Sequence, residues 1–267
     1  MNKEYDLLLS CGDSFTAGME ILGDQNVSEE NKTQAYPMHL ADMFRIPNVS
    51  NTALSGATNE FIARQTMTDI LKVEKEGQDL SRVFVIVGWS SINRLEIYVK
   101  DQLELLVKQG YLIDRLPSPE MGYFGTNFIN PTIEKRLVGE DGVTEIFNFG
   151  QKGVDFCNEY IWHENLEYEK WFSNIVLLKG FLESKGIKFL FHLNVHVWDS
   201  RNTERVKKYD SIVDDKRFFK FKEFTFQQWG NREWPFLRRA EGHFQKLVHV
   251  KFAEMIKEYI DNEKLMD

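Results

Sequence analysis

Two patterns of hydrophobic and polar positions alternate along the chain. Short continuous apolar runs that stop at a polar turn are typical of parallel strands buried on both faces, and they occur at residues 7–9 and 83–87. Further strands are predicted at residues 45–51 and 187–197. Between them lie longer segments in which apolar residues recur at helical spacing. Because strands and helices alternate, we predict a three-layer α/β/α fold with a central parallel sheet.

Helices are predicted from this spacing and from the residues that begin or end them. Thr58 is placed to cap one helix, and residues 162–184 form another that stops before Gly186. Residues 244–262 form the last helix. A further helix after the third strand is predicted from Leu95, Val99, Leu103 and Leu106.

Two segments interrupt the periodicity, at about residues 115–160 and 199–235. Both contain prolines and glycines, and we interpret them as loop insertions into one domain that spans residues 1–267. Insertions of this kind usually cover an active site. Ligands of open parallel sheets bind beyond the carboxyl ends of the strands, so the polar turns that follow the predicted strands are expected to share one rim.

The charge of the chain bears on its partners. A formal net charge of −8 over 267 residues opposes binding to nucleic-acid phosphates unless basic residues cluster. One stretch, residues 216–222, alternates lysines with aromatic residues, and stacking on single strands is the alternative that it suggests. Acidic neighbours such as Asp214 and Glu223 dilute its charge. We therefore expect no nucleic-acid partner.

Cysteine content and the N-terminus bear on the compartment. Two cysteines, Cys11 and Cys157, provide neither a disulfide framework nor metal-ligand spacing. Residues 1–10 lack the features of a signal peptide, and no apolar stretch approaches the roughly 20 residues of a membrane span. We expect a cytoplasmic protein in a reducing compartment, without a membrane span, a metal or a cofactor.

Candidate chemistry begins directly after the first predicted strand, with Gly12, Asp13 and Ser14. A serine at a strand-to-helix turn lies near backbone N–H groups, which suits a nucleophile that must build an oxyanion. The same position also suits a plain helix cap formed by Asp13 and Ser14. Position alone leaves both interpretations open.

Residues 12–15, with the sequence Gly-Asp-Ser-Phe, resemble the first sequence block of the SGNH/GDSL hydrolases. Residues 51–59, which include Gly56, are similar to the second block, whose glycine N–H helps to bind the oxyanion. The resemblance implies a flavodoxin-like hydrolase fold and a serine esterase whose nucleophile is Ser14.

His243 is similar to the histidine of the last block, which is the general base of that family, and His249 and Ala253 match the residues that follow it. The family pattern places an aspartate three residues before this histidine, where the chain has Ala240. Glu241 lies two residues before His243, and we predict that it orients the imidazole.

The third block of the family is Gly-x-Asn, whose asparagine donates to the oxyanion. This chain has Gly88, Trp89 and Ser90 there, and a serine hydroxyl has a single proton to donate. Asn93 and Arg94, one turn further on, are alternative donors. The altered block also resembles phage-encoded members of the superfamily, for which the host cytoplasm or the virion would be the location.

Together these comparisons define the predicted site. The catalytic residues are Ser14, His243 and Glu241, the oxyanion donors are Ser14, Gly56, Ser90 and Asn93, and the binding residues are Asp13, Trp89 and Arg94. The resemblance implies a small-molecule or carbohydrate ester as substrate, with a short acyl group such as acetyl. The alternative is a binding or structural protein, for example one associated with a virion, that kept the fold and lost the reaction. The sequence leaves the oligomeric state open.

Overall fold

The computed structural model describes residues 4–23, 28–92, 94–98, 123–126, 136–138, 144–146, 164–195, 207, 209–240 and 242–267. The strands are β1 (Leu7–Gly12), β2 (Asn48–Asn51), β3 (Val83–Trp89), β4 (Leu95–Tyr98), β5 (Tyr123–Thr126), β6 (Arg136–Val138), β7 (Thr144–Ile146) and β8 (Lys188–Leu193). The helices are α1 (Ser14–Ala17), α2 (Glu29–Lys32), α3 (Tyr36–Phe44), α4 (Asn59–Lys75), α5 (Glu164–Ser184), α6 (Asp210–Val213), α7 (Phe226–Glu233) and α8 (Lys246–Glu263).

A four-stranded parallel sheet with the order β2-β1-β3-β8 forms the centre of the fold. Its side chains alternate between two hydrophobic clusters. Leu9 and Val85 lie in the cluster that contains α4 and α5, whereas Leu8 and Phe84 lie in the cluster that contains α3 and α8. Each face of the sheet is therefore covered by helices, which confirms the predicted three-layer α/β/α fold.

The strand order places a crevice directly beyond β1. The chain passes from β1 to β2 through α3 and returns through α4 to β3 on the other side of β1. Gly12, the last residue of β1, is paired with Gly88 of β3. The connections after these two strands lie on opposite faces of the sheet, and ligands of such folds bind where the connections diverge.

Glycine is required at the ends of both strands because the next segments pack directly on them. A Cβ atom at Gly88 would lie 2.5 Å from Asn194 Nδ2 and 2.5 Å from Thr16 Oγ1. A Cβ atom at Gly12 would contact the side chain of Thr16 and lie 2.9 Å from the carbonyl oxygen of Gly88. Residues after β1, β3 and β8 therefore meet at one end of the sheet.

Several predicted elements have different bounds in the structure. The second strand begins at residue 48 rather than 45, because Arg45 adopts a left-handed conformation (φ 57°) that ends α3. The strand predicted at residues 187–197 ends at Leu193. Thr58 caps α4 as predicted, accepting a hydrogen bond from the backbone N–H of Phe61.

The helix predicted after β3 is wrong at its start. Residues 95–98 form β4, which pairs antiparallel with β5, and Leu95 and Ile97 also fit the two-residue period of a strand. Val99, Leu103 and Leu106 lie outside the described residues. Within the first predicted insertion, β6 and β7 form an antiparallel pair.

The second predicted insertion contains regular structure. Helices α6 and α7 and a 3₁₀ turn at Pro235–Leu237 lie in or across residues 199–235. Helix α7 begins with a capping box, in which Thr225 and Gln228 each accept a hydrogen bond from the backbone N–H of the other. This signal is present in the sequence, and it shows that the segment is more than an irregular loop.

The aromatic residues of the basic stretch are part of the core. Phe218, Phe219 and Phe221 are buried, and Lys222 forms ion pairs with Asp210 and Asp214. These rings are therefore not exposed for stacking on nucleic-acid bases. Among the helices that the structure describes, none has the length and apolar character needed to cross a membrane.

Candidate active site

Ser14 lies at the turn between β1 and α1. Asp13 caps α1 by accepting a hydrogen bond from the backbone N–H of Phe15 at 3.1 Å, and α1 ends at Gly18 in a left-handed conformation (φ 74°). The Ser14 side chain is thereby held at the first residue of a one-turn helix, beyond the carboxyl end of the central strand, with 4% of its surface exposed. The motif therefore has both features that the sequence suggests. Asp13 caps the helix, and Ser14 lies beyond the carboxyl end of β1.

The structure brings Ser14 and His243 together, although 229 residues separate them in the sequence. His243 Nε2 lies 2.8 Å from Ser14 Oγ. The other ring nitrogen, Nδ1, lies 3.0 Å from Oε2 of Glu20. Ser14, His243 and Glu20 therefore form a continuous hydrogen-bonded relay of hydroxyl, imidazole and carboxylate.

The direction of each hydrogen bond follows from the carboxylate. An ionised carboxylate can only accept, so Nδ1 of His243 carries the proton that is donated to Glu20. In the neutral imidazole the second nitrogen then lacks a proton, and Nε2 accepts from the hydroxyl of Ser14. This tautomer is the one that a general base for Ser14 requires.

Glu20 is held in the turn that follows α1. Its backbone adopts a left-handed conformation (φ 62°), and only 4% of the residue is exposed. The same carboxylate oxygen also accepts from the backbone N–H of His243 at 3.3 Å. Glu241, which the sequence predicted for this role, lies outside the described residues; in the structure, the partner of Nδ1 is Glu20.

Asp13 is buried rather than placed to contact a ligand. None of its surface is exposed. Its Oδ1 accepts from Asn194 Nδ2 at 2.7 Å, and its Oδ2 accepts from Ser90 Oγ at 2.9 Å and Arg94 Nη1 at 3.1 Å. Asp13 and Arg94, which were predicted to bind the ligand, form an internal ion pair with each other. Further hydrogen bonds surround this pair.

Ser90, which occupies the asparagine position of the third block, is also committed to the interior. It is fully buried, and the single proton of its hydroxyl is donated to Asp13. Asn59 accepts from its backbone N–H at 2.9 Å and donates to its carbonyl oxygen at 3.1 Å. The structure therefore does not bring the Ser90 hydroxyl to an oxyanion position, and Asn93 lies outside the described residues.

Trp89 was predicted to contact the ligand, and the structure places it in the core. Its side chain is fully buried at the end of β3. The ring packs edge-to-face against Phe191, with 5.5 Å between the ring centroids. Residues alternate between the faces of a sheet, so Trp89 points into the α4 and α5 layer.

Gly56 lies in a loop that begins beside the end of β1. The loop starts against β1, where the backbone N–H of Leu54 donates to the carbonyl oxygen of Gly12 at 3.1 Å. Gly56 itself is buried and adopts a left-handed conformation (φ 76°), which favours glycine. The next residue, Ala57, accepts a hydrogen bond from Arg94 at 3.0 Å. One end of the loop is therefore bonded to β1, and the other is bonded to Arg94.

His249 supports the site from within the core. It is 1% exposed, and its Nδ1 accepts from the backbone N–H of Tyr36 at 3.3 Å. Burial lowers the pKa of His249 to about 3, and the neighbouring His39 and His243 act in the same direction. The second histidine of the motif is thus a neutral, structural residue that joins α8 to α3.

In fold, the chain resembles an esterase and a G-D-S-L lipolytic protein. The G-D-S-L family protein from Desulfitobacterium hafniense DCB-2 is 14% identical, with 95% of this chain and 99% of that chain covered and a TM-score of 0.43. The psychrotrophic esterase EstA from Pseudoalteromonas sp. is 11% identical, covers 96% and 100%, and has a TM-score of 0.45. TesA is 13% identical, covers 96% and 98%, and has a TM-score of 0.46.

No protein-family model and no curated protein matches the chain. The likenesses to solved structures are distant, so the function proposed below rests on the geometry of the site and on the motifs in the sequence.

Three residues of the site were missed from the sequence: Glu20, Asn59 and Asn194. Asn194 follows β8 directly, and polar residues after the parallel strands were expected at one rim, so its position was a usable signal. Asn59 lies inside the second block. Glu20 has no such signal, because it lies outside the sequence blocks that identify Ser14 and His243.

Proposed function

We propose that the chain is a serine ester hydrolase of the SGNH/GDSL type that acts through an acyl-enzyme on Ser14. The observation that supports this most is the relay in which Ser14 Oγ lies 2.8 Å from His243 Nε2 and His243 Nδ1 lies 3.0 Å from Glu20. A nucleophile, a base within hydrogen-bonding reach, and a third group that orients the base are the components of serine catalysis.

In the first half of the reaction, Ser14 Oγ forms a bond to the carbonyl carbon of the ester while His243 Nε2 takes the hydroxyl proton. The carboxylate of Glu20 stabilises the imidazolium that results. His243 then gives the proton to the oxygen of the leaving alcohol as the carbon–oxygen bond breaks. In the second half, water attacks the acyl carbon while His243 takes its proton. His243 then returns that proton to Ser14 Oγ as the bond between Oγ and the acyl carbon breaks and the acid leaves.

The negative charge on the carbonyl oxygen is held by backbone donors in this proposal. Ser14 is the first residue of α1, where backbone N–H groups have no partner inside the helix. Gly56 lies in the neighbouring loop, which is fixed to Gly12 and to Arg94. We assign the N–H groups of Ser14 and Gly56 to the oxyanion. The substrate that we propose is a small ester with a short acyl group, such as acetyl on a carbohydrate, in line with the family resemblance.

A specific observation supports a second candidate, a protein that kept the fold and lost the reaction. Ser90 stands where the family has an asparagine donor. Its hydroxyl donates its one hydrogen bond to Asp13. Losing one donor of an oxyanion hole costs roughly 10²–10³ in rate unless it is replaced. This candidate predicts an intact fold without measurable turnover.

The test is hydrolysis of p-nitrophenyl acetate and butyrate, together with labelling by a fluorophosphonate that reacts with activated serines. We expect turnover and a label on Ser14 in the wild type, and neither in Ser14→Ala or His243→Ala. Acetylated sugars are the next substrates to compare. If all three proteins are folded and show equal feeble rates without a label on Ser14, the esterase proposal is wrong and the second candidate takes its place.

A further inference from the structure

One nitrogen of Arg94 joins the two segments that carry the proposed oxyanion donors. Arg94 Nη1 donates to Asp13 Oδ2 at 3.1 Å and to the carbonyl oxygen of Ala57 at 3.0 Å. Asp13 immediately precedes Ser14, and Ala57 immediately follows Gly56. The guanidinium therefore lies between the turn at Asp13 and Ser14 and the loop at residues 52–58, which we call the glycine loop. It contacts the residue next to each proposed donor.

We propose that Arg94 is a positioning residue that holds the backbone N–H groups of Ser14 and Gly56 at a fixed spacing, and thereby maintains an oxyanion hole that lacks the family's asparagine. This inference rests on the proposed function. It replaces the prediction that Arg94 binds substrate or donates to the oxyanion itself.

The burial of the pair makes the connection rigid. Arg94 is 6% exposed and Asp13 is 0% exposed, and a buried carboxylate requires a charged or hydrogen-bonding partner. Burial lowers the pKa of the Arg94 guanidinium, and the adjacent charge of Asp13 opposes that shift. Separating the two partners would leave uncompensated buried charges. The ion pair is therefore expected to stay intact, with a fixed distance between the two side chains.

Asp13 cannot rotate to follow a displaced loop, because both of its oxygens are held by other groups. Oδ1 accepts from Phe15 N and Asn194 Nδ2, and Oδ2 accepts from Ser90 Oγ in addition to Arg94. The Asp13 end of the connection is thus fixed to α1, β3 and β8. Arg94 then joins Ala57, and with it Gly56, to this fixed end.

Fixed spacing matters because a preformed set of donors needs no reorganisation when charge develops. A displacement of about 1 Å in an active site can cost on the order of 10²-fold in rate. Lysine is not equivalent to arginine here, since its ammonium is a point charge on a flexible stem whereas the guanidinium is planar and rigid. A lysine at position 94 is therefore expected to restore the charge but only part of the alignment.

The experiment compares Arg94→Met and Arg94→Lys with Ser90→Ala and with Arg82→Met. Ser90 also contacts Asp13 but does not reach the glycine loop, and Arg82 is an ion-paired arginine at the other end of the sheet, next to Asp6. Each protein is titrated with the fluorophosphonate to count active sites. kcat and KM for p-nitrophenyl acetate are then expressed per labelled site, and melting temperatures are recorded.

For Arg94→Met we expect kcat per labelled site to fall roughly 10- to 100-fold with KM within about threefold of wild type. We expect Arg94→Lys to fall less than Arg94→Met. Arg82→Met is expected to stay within about threefold of wild type, and Ser90→Ala to lose less than Arg94→Met, because it leaves the link from Arg94 to Ala57 in place. A residue with a merely structural role would lower the melting temperature and the number of labelled sites, and leave kcat per site unchanged.

Two results would overturn the proposal. One is a folded Arg94→Met, or a folded Arg94→Lys if the methionine variant does not fold, whose kcat per site equals that of wild type. The other is a Ser90→Ala variant that loses as much as Arg94→Met, which would mean that the hydrogen bonds around Asp13, and not the link from Arg94 to Ala57, set the rate. If Ser14 of the wild type takes no label, the proposed function itself is refuted. Labelling of the wild type is therefore measured before any variant is compared.

Discussion

Replacing Glu20 by glutamine keeps the size of the side chain and removes its charge. In the wild type, one carboxylate oxygen accepts from both the ring N–H and the backbone N–H of His243, at 3.0 and 3.3 Å. Because two donors point at this position, the amide oxygen of glutamine is favoured there over its NH₂ group. The variant is therefore expected to keep the tautomer and the hydrogen bonds, and to lose the stabilisation of the imidazolium.

The size of the loss follows from this geometry. Two unit charges about 4 Å apart interact by about 4 kcal/mol at an effective dielectric constant of about 20, and relaxation of the site reduces that value. A loss of about 2–4 kcal/mol from the transition state corresponds to a kcat that is roughly 30- to 1,000-fold lower. KM is expected to remain within about threefold, since Glu20 is buried behind His243.

The assay is steady-state hydrolysis of p-nitrophenyl acetate by wild type, Glu20→Gln and Glu241→Gln. Glu241 is the matched control, because it is the acid that sequence position alone suggests and it undergoes the same chemical change. We expect Glu241→Gln to retain more than a third of the wild-type kcat. The reasoning is refuted if Glu20→Gln keeps that much, or if Glu241→Gln loses more than Glu20→Gln while both remain folded.

Two further predictions concern stability. The pKa of His249 is lowered to about 3 by burial, so below about pH 6.5 the unfolded chain binds a proton that the folded chain does not. His249 alone should lower the free energy of unfolding by up to about 1.4 kcal/mol per pH unit as the pH drops towards 3. Burial also lowers the pKa of His192 to about 3, which adds a slope that wild type and a His249 variant share. Urea unfolding between pH 7 and 4.5 checks this, and an equally steep slope in His249→Gln contradicts it. At Gly12 a Cβ atom would lie 2.9 Å from the carbonyl oxygen of Gly88, and at Gly180 in α5 it would meet nothing within 4 Å. We expect Gly12→Ala to lose about 1–3 kcal/mol and Gly180→Ala to gain about 0.5–1 kcal/mol; thermal shifts of the same sign would disprove this.

Three strands of the sheet, β1, β3 and β8, could be predicted from the sequence because they are buried on both faces. A continuous apolar run such as that of β1 has few alternatives when it ends at a polar turn. Short runs are ambiguous, and Leu95 illustrates this, since the same residue fits helical spacing with Val99 and strand spacing with Ile97. Nothing in residues 95–98 decides between the two; the pairing partner β5 does.

Ser14 and His243 could be identified because they lie in sequence blocks that resemble those of the SGNH/GDSL hydrolases, and each also lies next to a predicted element. Ser14 follows β1 by two residues, and His243 precedes α8 by three. Their meeting at 2.8 Å is a consequence of the three-layer fold, which brings the start of α8 to the end of β1. The burial of Trp89 and Ser90 could not be predicted from the sequence. Which side of a strand end faces the core depends on the layers that pack against the sheet.

The acid of the relay bears on one departure from the family pattern. The chain lacks an aspartate three residues before His243. His243 has a single Nδ1, and Glu20 occupies it from the turn after α1. The carboxylate three residues before the histidine would serve the same nitrogen, so the chain has no need of it, and Ala240 is exposed at that position. In the proposed mechanism, the segment from Asp13 to Glu20 thereby provides the nucleophile, the carboxylate that fixes its turn, and the carboxylate that orients the base. The lack of an aspartate three residues before His243 therefore does not count against the relay.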